Sequence, residues 1–206
     1  MTILRCIIMQ LGDRYRDALR ACLKGGVRIH LYLDGSENSR QAEELFSHLC
    51  EEFEALHLVK HEGGQEFLPA LSIEGEKHHS NVVYHGIPAE HELSTLVEWL
   101  CIASGSGQAP GEAAIRALEE LDSEVEVVLV LTPFCPTCTG VAKNIIRLGM
   151  ACEKLRVSII DVAMFPEARE RYPSLSVPKL FIGSRTLTGA RGADEASVLE
   201  LIKEVS

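Results

Sequence analysis

The chain has 206 residues, of which 46% are hydrophobic and 24% charged, and its formal net charge is −10. This length accommodates two small domains, and the composition is that of a folded globular protein rather than a disordered one. The negative charge argues against binding to nucleic acid or to an anionic membrane surface, because both interactions depend on lysine and arginine. No apolar run approaches the roughly 18–20 residues of a membrane span, and the N-terminus does not resemble a secretory signal. We therefore expect a cytoplasmic protein.

The sequence divides into two parts that show the same order of predicted elements. In the first part we predict helices over residues 13–23, 39–53 and 90–102, and strands over 27–34, 55–59, 68–73 and 82–84. In the second part we predict helices over 112–121, 136–150, 166–171 and 194–205, and strands over 124–131, 155–161, 178–182 and 186–188. A segment rich in Gly, Ser and Pro, residues 102–111, lies between them. We predict domains over 1–105 and 106–206.

Matching residues in the two parts indicate an internal repeat. Residues 68–73 (LPALSI) are similar to residues 177–182 (VPKLFI), which pairs Pro69 with Pro178. Residues 86–96 align without a gap on residues 189–199, which pairs Glu92 with Glu195. Because both blocks occur in the same order within the same order of elements, we interpret the chain as a duplication.

A C-x-x-C motif, formed by Cys135, Pro136, Thr137 and Cys138, falls where a buried strand is predicted to end and a helix to begin. The unpaired N–H groups and the dipole at a helix N-terminus stabilise a thiolate, and C-x-x-C thiols at such positions have lowered pKa values. Proline is compatible with the first helical position. The spacing places the second sulfur one helical turn further along, close enough to form a disulfide.

We therefore predict that Cys135 is the exposed attacking thiolate and that Cys138 is the sheltered resolving thiol. Cys135 would attack the disulfide of a partner to give a mixed disulfide, and Cys138 would then release the reduced partner. A metal half-site and a static disulfide are the alternatives. We expect no metal site, because zinc requires about four N/S ligands and the adjacent His78 and His79 lie in a polar loop.

The other five cysteines are scattered singly along the sequence. Free cysteine in a reducing compartment behaves as a small buried hydrophobic residue. We interpret all five in this way: Cys6, Cys22, Cys50, Cys101 and Cys152.

The CPTC motif, SVPKLFI and residues 188–202 (TGARGADEASVLELI) together resemble a glutaredoxin or thioredoxin domain. The tandem arrangement resembles the two-domain protein disulfide oxidoreductases. It also resembles the N-terminal domain of the flavoprotein component of alkyl hydroperoxide reductase, especially over residues 85–105. In that family the first half has lost its cysteines, as it has in GSENSRQ here. The resemblance implies an α/β fold of two tandem thioredoxin-like (βαβ–ββα) units that share a continuous central sheet.

The resemblance also implies how substrates are bound and which proteins exchange electrons with the chain. Pro178 would form a cis peptide bond facing the cysteines, Val177 would offer its backbone to the partner peptide, and Pro136 and Thr137 would complete the binding surface. The chain would act without a cofactor of its own. It would receive electrons from a thioredoxin-reductase-like flavoenzyme on a separate chain, and would reduce a peroxiredoxin or another disulfide-bearing protein.

Two positions depart from the thioredoxin pattern. Leu129 stands where thioredoxins often carry a buried acid, so that proton transfer would depend on water or on another group. Phe134 replaces the usual tryptophan. Two alternative functions stay open: a general protein disulfide oxidoreductase or isomerase, and a binding module in which CPTC acts only as a redox-sensing latch.

Overall fold

The computed structural model describes residues 12–76, 81–189 and 193–206, and in this part of the chain eight strands form a single sheet. The elements up to residue 103 are α1 (Asp13–Cys22), β1 (Val27–Leu33), α2 (Glu37–Glu52), β2 (Leu56–Glu62), β3 (Ala70–Gly75), β4 (Val82–His85), a 3₁₀ turn (Glu90–Glu92) and α3 (Leu93–Ala103). The later elements are α4 (Glu112–Glu119), β5 (Val125–Leu131), α5 (Cys138–Ala151), β6 (Leu155–Asp161), α6 (Ala168–Arg171), β7 (Lys179–Ile182), β8 (Arg185–Thr188) and α7 (Glu195–Val205).

The strands are arranged in the order β2-β1-β3-β4-β6-β5-β7-β8. Within each half, a parallel pair is followed by antiparallel strands, β1 with β2 and then β3, and β5 with β6 and then β7. The two halves meet where β4 pairs in parallel with β6. The prediction of a continuous central sheet is therefore confirmed, whereas the domain boundary between residues 105 and 106 stays a prediction.

Both faces of the central strands are buried, and strand β5 (VEVVLVL) shows why its sequence is almost continuously apolar. Side chains alternate across a sheet. The odd-numbered residues, such as Leu129, belong to the large core under the helices, whereas Val128 and Val130 belong to a smaller cluster on the opposite face with Phe67 and Phe165. Residues from both halves thus contribute to both cores.

Helices α3 and α5 pack side by side over the β4–β6 seam. A Cβ atom at Gly149 of α5 would lie 2.6 Å from Val82 of β4, so only glycine allows the helix to approach the sheet this closely. The indole N–H of Trp99 donates to Met150 Sδ at 3.4 Å. At the surface, Glu98 of α3 forms an ion pair with Lys143 of α5 at 3.2 Å.

The backbone geometry repeats between the halves as the two matched sequence blocks predict. Both Leu68–Pro69 and Val177–Pro178 are cis peptide bonds. The carbonyl oxygen of Pro69 accepts a hydrogen bond from the N–H of Gly86 at 2.8 Å, and that of Pro178 accepts one from Gly189 at 2.9 Å. The sequence predicted the cis bond only for the second proline.

The interpretation of the single cysteines is wrong for two of them. Cys22 at the end of α1 and Cys101 in the last turn of α3 form a disulfide, with 5.3 Å between their Cα atoms. They are 79 positions apart in sequence, so only the packing of α1 against α3 brings them together. Cys50 and Cys152 are free and partly buried, and Cys6 lies outside the described residues.

Four helices, α2, α3, α5 and α6, begin two or three residues away from the predicted position. Helix α2 begins at Glu37 rather than at residue 39, because Ser36 is its N-cap and its hydroxyl accepts a hydrogen bond from the N–H of Ser39. Helix α5 begins at Cys138 rather than at residue 136.

Among the described residues, no helix has the length and the apolar character needed to cross a bilayer.

The Cys22–Cys101 disulfide closes a long loop and should therefore stabilise the folded chain. We expect the double variant Cys22→Ser/Cys101→Ser to lose about 2–4 kcal/mol of unfolding free energy, because the crosslink restricts the unfolded chain. Urea unfolding without reductant measures this, with the pairing verified by thiol labelling. The double variant of the two free cysteines, Cys50→Ser/Cys152→Ser, is the control. Equal stability of the two double variants would contradict a stabilising role.

Candidate active site

The two cysteines of the CPTC motif form a disulfide at the start of helix α5, with 5.4 Å between their Cα atoms. Strand β5 ends at Leu131, and a turn leads into the helix, in which the N–H of Cys138 donates to the carbonyl oxygen of Cys135 at 3.1 Å. Cys138 is fully buried, whereas Cys135 is partly exposed. Pro136 and Thr137 belong to this turn and are exposed. The motif therefore presents one sulfur to solvent and shelters the other.

Polar groups surround the sulfur of Cys135. The hydroxyl oxygen of Thr137 lies 3.4 Å from this sulfur, and the carbonyl oxygen of Val177 lies 3.9 Å from it. Val177 is joined to Pro178 by a cis peptide bond, as the sequence predicted. In the reduced state the Thr137 hydroxyl is placed to donate a hydrogen bond to a Cys135 thiolate.

The apolar rim consists of two exposed side chains on the segments that carry Cys135 and Val177. Phe134, directly before Cys135, is 69% exposed. Leu175, on the loop that leads to the cis-proline, is completely exposed. Exposed large apolar side chains on the segments that carry a reactive sulfur and its neighbouring carbonyl suit contact with another polypeptide.

The first half contributes a buried acid to this site, which the sequence did not reveal. Glu92, in the 3₁₀ turn before α3, has no solvent-accessible surface. The hydroxyl of Thr139, the residue after Cys138, donates a hydrogen bond to Glu92 Oε1 at 3.1 Å. The N–H of His91 donates to the carbonyl oxygen of Pro133 at 3.2 Å. The first half, which lacks a C-x-x-C motif, thus contacts both ends of the CPTC turn.

The environment of Glu92 favours its neutral form. Burial raises the pKa of this carboxyl above its ordinary value, and it outweighs the opposing effects of nearby hydroxyl groups and cations. Thr95, which faces the carboxylate without forming a well-aligned hydrogen bond, and Thr139 both lower the pKa, as does the charge of Lys143. A buried carboxyl with a raised pKa, hydrogen-bonded to the residue that follows Cys138, is suited to general acid–base chemistry.

A second buried acid, Asp161, lies at the end of β6. Its Oδ1 accepts hydrogen bonds from the N–H groups of Ala163 at 2.9 Å and Met164 at 3.4 Å. Burial nevertheless raises its pKa to about 6. The phenol of Tyr84, on the neighbouring strand β4, is fully buried, and its pKa lies well above its usual range because of burial and the charges of Asp161 and Glu92.

The corresponding position in the first half contains a polar cap instead of a dithiol. Asp34 Oδ1 accepts hydrogen bonds from the N–H of Ser36 at 3.0 Å and from the hydroxyl of Ser39 at 2.6 Å. These contacts, led by Ser36, lower the pKa of Asp34 to about 2. This turn therefore stabilises the start of α2 and carries no group that could exchange with a disulfide.

The internal repeat pairs Glu92 with Glu195, but this pairing does not show which of the two side chains is buried. Glu92 aligns with Glu195, yet Glu195 lies at the surface in the first turn of α7, where its Oε1 accepts a hydrogen bond from the N–H of Gly111. Only the packing of α3 against α5 distinguishes the two positions.

In the described residues no group of three or more His, Cys, Asp or Glu side chains is arranged to hold a metal ion; His78 and His79 lie outside them.

Comparison with known proteins agrees with the resemblance found in the sequence. No family model matches the chain. It is 25% identical over 171 residues to the alkyl hydroperoxide reductase component AhpF of Staphylococcus aureus, and 23% identical to that of Staphylococcus epidermidis. The aligned region covers 82% of this chain but only 32% of the relative, so the chain spans about a third of the length of these proteins.

Solved structures establish the fold. The structure of AhpF from Enterococcus faecalis superimposes with a TM-score of 0.82 at 18% identity, covering 92% of this chain and 97% of that one. A protein disulfide oxidoreductase from Aeropyrum pernix gives a TM-score of 0.80 at 21% identity, covering 94% and 92%. The chain is therefore a tandem thioredoxin-like protein that is similar to the AhpF component of alkyl hydroperoxide reductase and to an archaeal protein disulfide oxidoreductase.

Proposed function

We propose that the chain is a thiol–disulfide oxidoreductase that works through the Cys135–Cys138 pair. The observation that carries this proposal is the placement of the pair: one sulfur is accessible and the other is buried at a helix start, opposite a cis-proline. Exchange requires an accessible attacking sulfur and a second sulfur that is protected from solvent but within bonding distance. The similarity to AhpF supports the same chemistry.

In the forward reaction the reduced pair transfers two electrons to a partner. The Cys135 thiolate attacks one sulfur of the partner disulfide, and the other partner sulfur leaves as a thiolate that takes up a proton. Cys138 then loses its proton and attacks Cys135 Sγ, so that the mixed disulfide breaks and the second partner sulfur leaves. The partner ends as a dithiol and the chain as the Cys135–Cys138 disulfide.

Glu92 is the group that we propose as proton acceptor for Cys138. Its carboxylate accepts a hydrogen bond from Thr139, the residue that follows Cys138, and the side chains of Glu92 and Cys138 are both fully buried. A buried thiol needs such a base, because its charged form is otherwise unfavourable. Here the acid comes from the first half, which lacks a C-x-x-C motif, and takes over the role that the leucine at position 129 cannot serve.

The partner segment around the attacked disulfide would be bound by Val177, Pro178, Pro136 and Thr137. An extended peptide could pair with the backbone at Val177, a strand-like mode of recognition. The apolar rim of Phe134 and Leu175 would flank the peptide.

For the physiological partners we propose a flavin-dependent disulfide reductase as electron donor and a peroxiredoxin as acceptor. The similarity to AhpF supports this choice. The fold of the Aeropyrum pernix protein keeps a general protein disulfide oxidoreductase as the alternative. Faster reduction of a peroxiredoxin disulfide than refolding of scrambled ribonuclease would favour the relay, and the reverse ranking would favour the alternative. The cytoplasmic location stays a prediction from the sequence.

Replacing each active-site cysteine by serine should block the reaction at a different step. Cys135→Ser should abolish insulin-disulfide reduction, because the attacking sulfur is lost. Cys138→Ser should also stop turnover but accumulate a mixed disulfide with the substrate, detectable by non-reducing electrophoresis and mass spectrometry. Cys50→Ser serves as control, since burial raises the pKa of that thiol to about 11. Insulin reduction that persists in Cys135→Ser would refute the proposal.

Glu92→Gln should slow the step in which Cys138 attacks the mixed disulfide, at pH values below the pKa of a free thiol. Because the carboxylate accepts the proton only above its own pKa, the wild-type rate should increase as the pH rises through the pKa of Glu92. This increase should be absent in the variant. We expect a loss of roughly 10²-fold at pH 7, the lower end of general-base effects. Stopped-flow decay of a preformed mixed disulfide measures it. The control is Glu195→Gln, at the repeat-related and only partly buried position; equal rates in both variants would exclude Glu92 as the base.

A further inference from the structure

Two histidines and a glutamate form a hydrogen-bonded row on the sheet of the first half. His30 Nδ1 lies 3.0 Å from His61 Nε2, and His30 Nε2 lies 3.0 Å from Glu74 Oε2. His30 is on β1, His61 on β2 and Glu74 on β3. None of the three has a part in the proposed chemistry of the CPTC motif, so the row calls for a separate explanation.

The row lies on the face of the sheet away from the large core. Ile29 and Leu31 of β1 are buried in that core, so His30 points to the other face. The register pairs Tyr32 with His61, which places His61 on the same face as His30. The side chain of His30 is 18% exposed and His61 is partly exposed, so both rings can be reached from solvent.

The partners of His30 determine which of its ring nitrogens carries a hydrogen. Arg28 contacts both oxygens of the Glu74 carboxylate, from Nε to Oε2 at 3.1 Å and from Nη2 to Oε1 at 3.0 Å. A carboxylate held in this bidentate way is ionised and can only accept hydrogen bonds. His30 Nε2 therefore donates to Glu74, and Nδ1 of the neutral ring presents a lone pair to His61.

This arrangement is the one found around histidine ligands of metal ions. Such a histidine nearly always donates the hydrogen of its other ring nitrogen to a carboxylate, a carbonyl or water, which fixes the ring and makes the ligating nitrogen more basic. Glu74 has this position towards His30. The ring of Tyr32 stacks on His61 with centroids 4.7 Å apart and so restricts the orientation of the second histidine.

The distance between the two nitrogens indicates which metal fits. An imidazole nitrogen lies about 2.0–2.1 Å from a divalent metal such as zinc, so two of them are roughly 2.9 Å apart at 90° and roughly 3.3 Å apart at the tetrahedral angle. The 3.0 Å between His30 Nδ1 and His61 Nε2 is closer to the first value. Angles of 90° are those of tetragonal copper(II) and nickel(II) sites with N and O ligands, and copper(II) binds most tightly in the divalent series.

We propose that His30 Nδ1 and His61 Nε2 form a binding site for copper(II), with Glu74 as the residue that orients His30. The metal ion takes the place of the hydrogen between the two nitrogens. The proton of His61 moves to its outer nitrogen Nδ1, so both rings stay neutral. The remaining coordination positions are open to solvent.

The site has two protein ligands, because Glu74 faces the other nitrogen of His30 and is not a third ligand. This agrees with the finding that the described residues hold no group of three or more potential ligands arranged for a metal ion. Sequence spacing did not point to the pair, since His30 and His61 are 31 positions apart and meet only through the pairing of β1 with β2. The inference does not depend on the proposed function, because three strands separate β1 from the strand that leads to the CPTC motif.

Copper binding is best measured on the oxidised full-length chain with Cys6→Ser, Cys50→Ser and Cys152→Ser. These substitutions remove the thiols outside the two disulfides, which would otherwise bind or reduce Cu²⁺. Calorimetric titration with Cu²⁺ alone should show one tightly bound ion per chain. Pulsed EPR of this complex should show two coordinated imidazoles.

Substitutions in the row should then change the affinity in a graded way. His30→Ala and His61→Ala should each abolish the tight binding, because each removes one of the two ligands. Glu74→Gln should weaken it by roughly 10–100-fold, the usual effect of losing a residue that orients a metal ligand. His61→Gln, which keeps a longer polar side chain, decides the question if His61→Ala does not fold.

His48→Ala is the matched control. His48 lies at the surface of α2 with Nδ1 at 3.7 Å from Glu51, so it is also a histidine beside a carboxylate, and its loss should leave binding unchanged. The double variant His78→Ala/His79→Ala should also retain the ion.

Three results would overturn the inference. The first is an EPR count below two imidazoles before any histidine is replaced. The second is loss of the ion in His78→Ala/His79→Ala, or its retention in both His30→Ala and His61→Ala. The third is full affinity in Glu74→Gln, which would leave an adventitious histidine pair only.

Discussion

The parallel pairing of β4 with β6 is the interaction on which the rest of the structure depends. This pairing converts two small sheets into one sheet of eight strands and places α3 of the first half beside α5 of the second. Gly149 allows α5 to pack closely against the β4–β6 seam. Trp99 and Glu98 of α3 contact Met150 and Lys143 of α5. Because α3 begins beside the point where α5 begins, the buried acid Glu92 of the first half contacts Thr139, the residue after the second cysteine.

This arrangement explains why a half without a dithiol is retained in the site. The second half carries leucine at position 129, and its own buried acid is Asp161 at the end of β6. In the proposed mechanism Glu92 supplies a second buried acid from the first half, and its burial raises its pKa. The desolvation that makes a charged carboxyl costly in a protein core also raises its pKa, and a raised pKa makes the carboxylate a stronger base.

The two disulfides of the chain illustrate different physical roles. Cys135 and Cys138 are three positions apart, so their pairing leaves the unfolded chain almost unrestricted, and exposure of one sulfur makes exchange possible. Cys22 and Cys101 close a loop of 79 positions and join the ends of α1 and α3. The hydroxyl of Ser104 reinforces that junction by accepting a hydrogen bond from the N–H of Lys24 at 2.7 Å. The first pair suits chemistry and the second suits stability.

Local sequence determined the elements, the duplication and the CPTC turn, because apolar periodicity, the matched blocks around Pro69 and Pro178 and the C-x-x-C spacing are all short-range patterns. Tertiary structure alone decided the Cys22–Cys101 pairing and the burial of Glu92. Cys101 has the sequence context of a buried hydrophobic residue, and the fully buried Glu92 occupies the same repeat position as Glu195, which is only partly buried. Both outcomes depend on which helix faces which across the sheet, and contacts between residues 47 or 79 positions apart leave no trace in local periodicity.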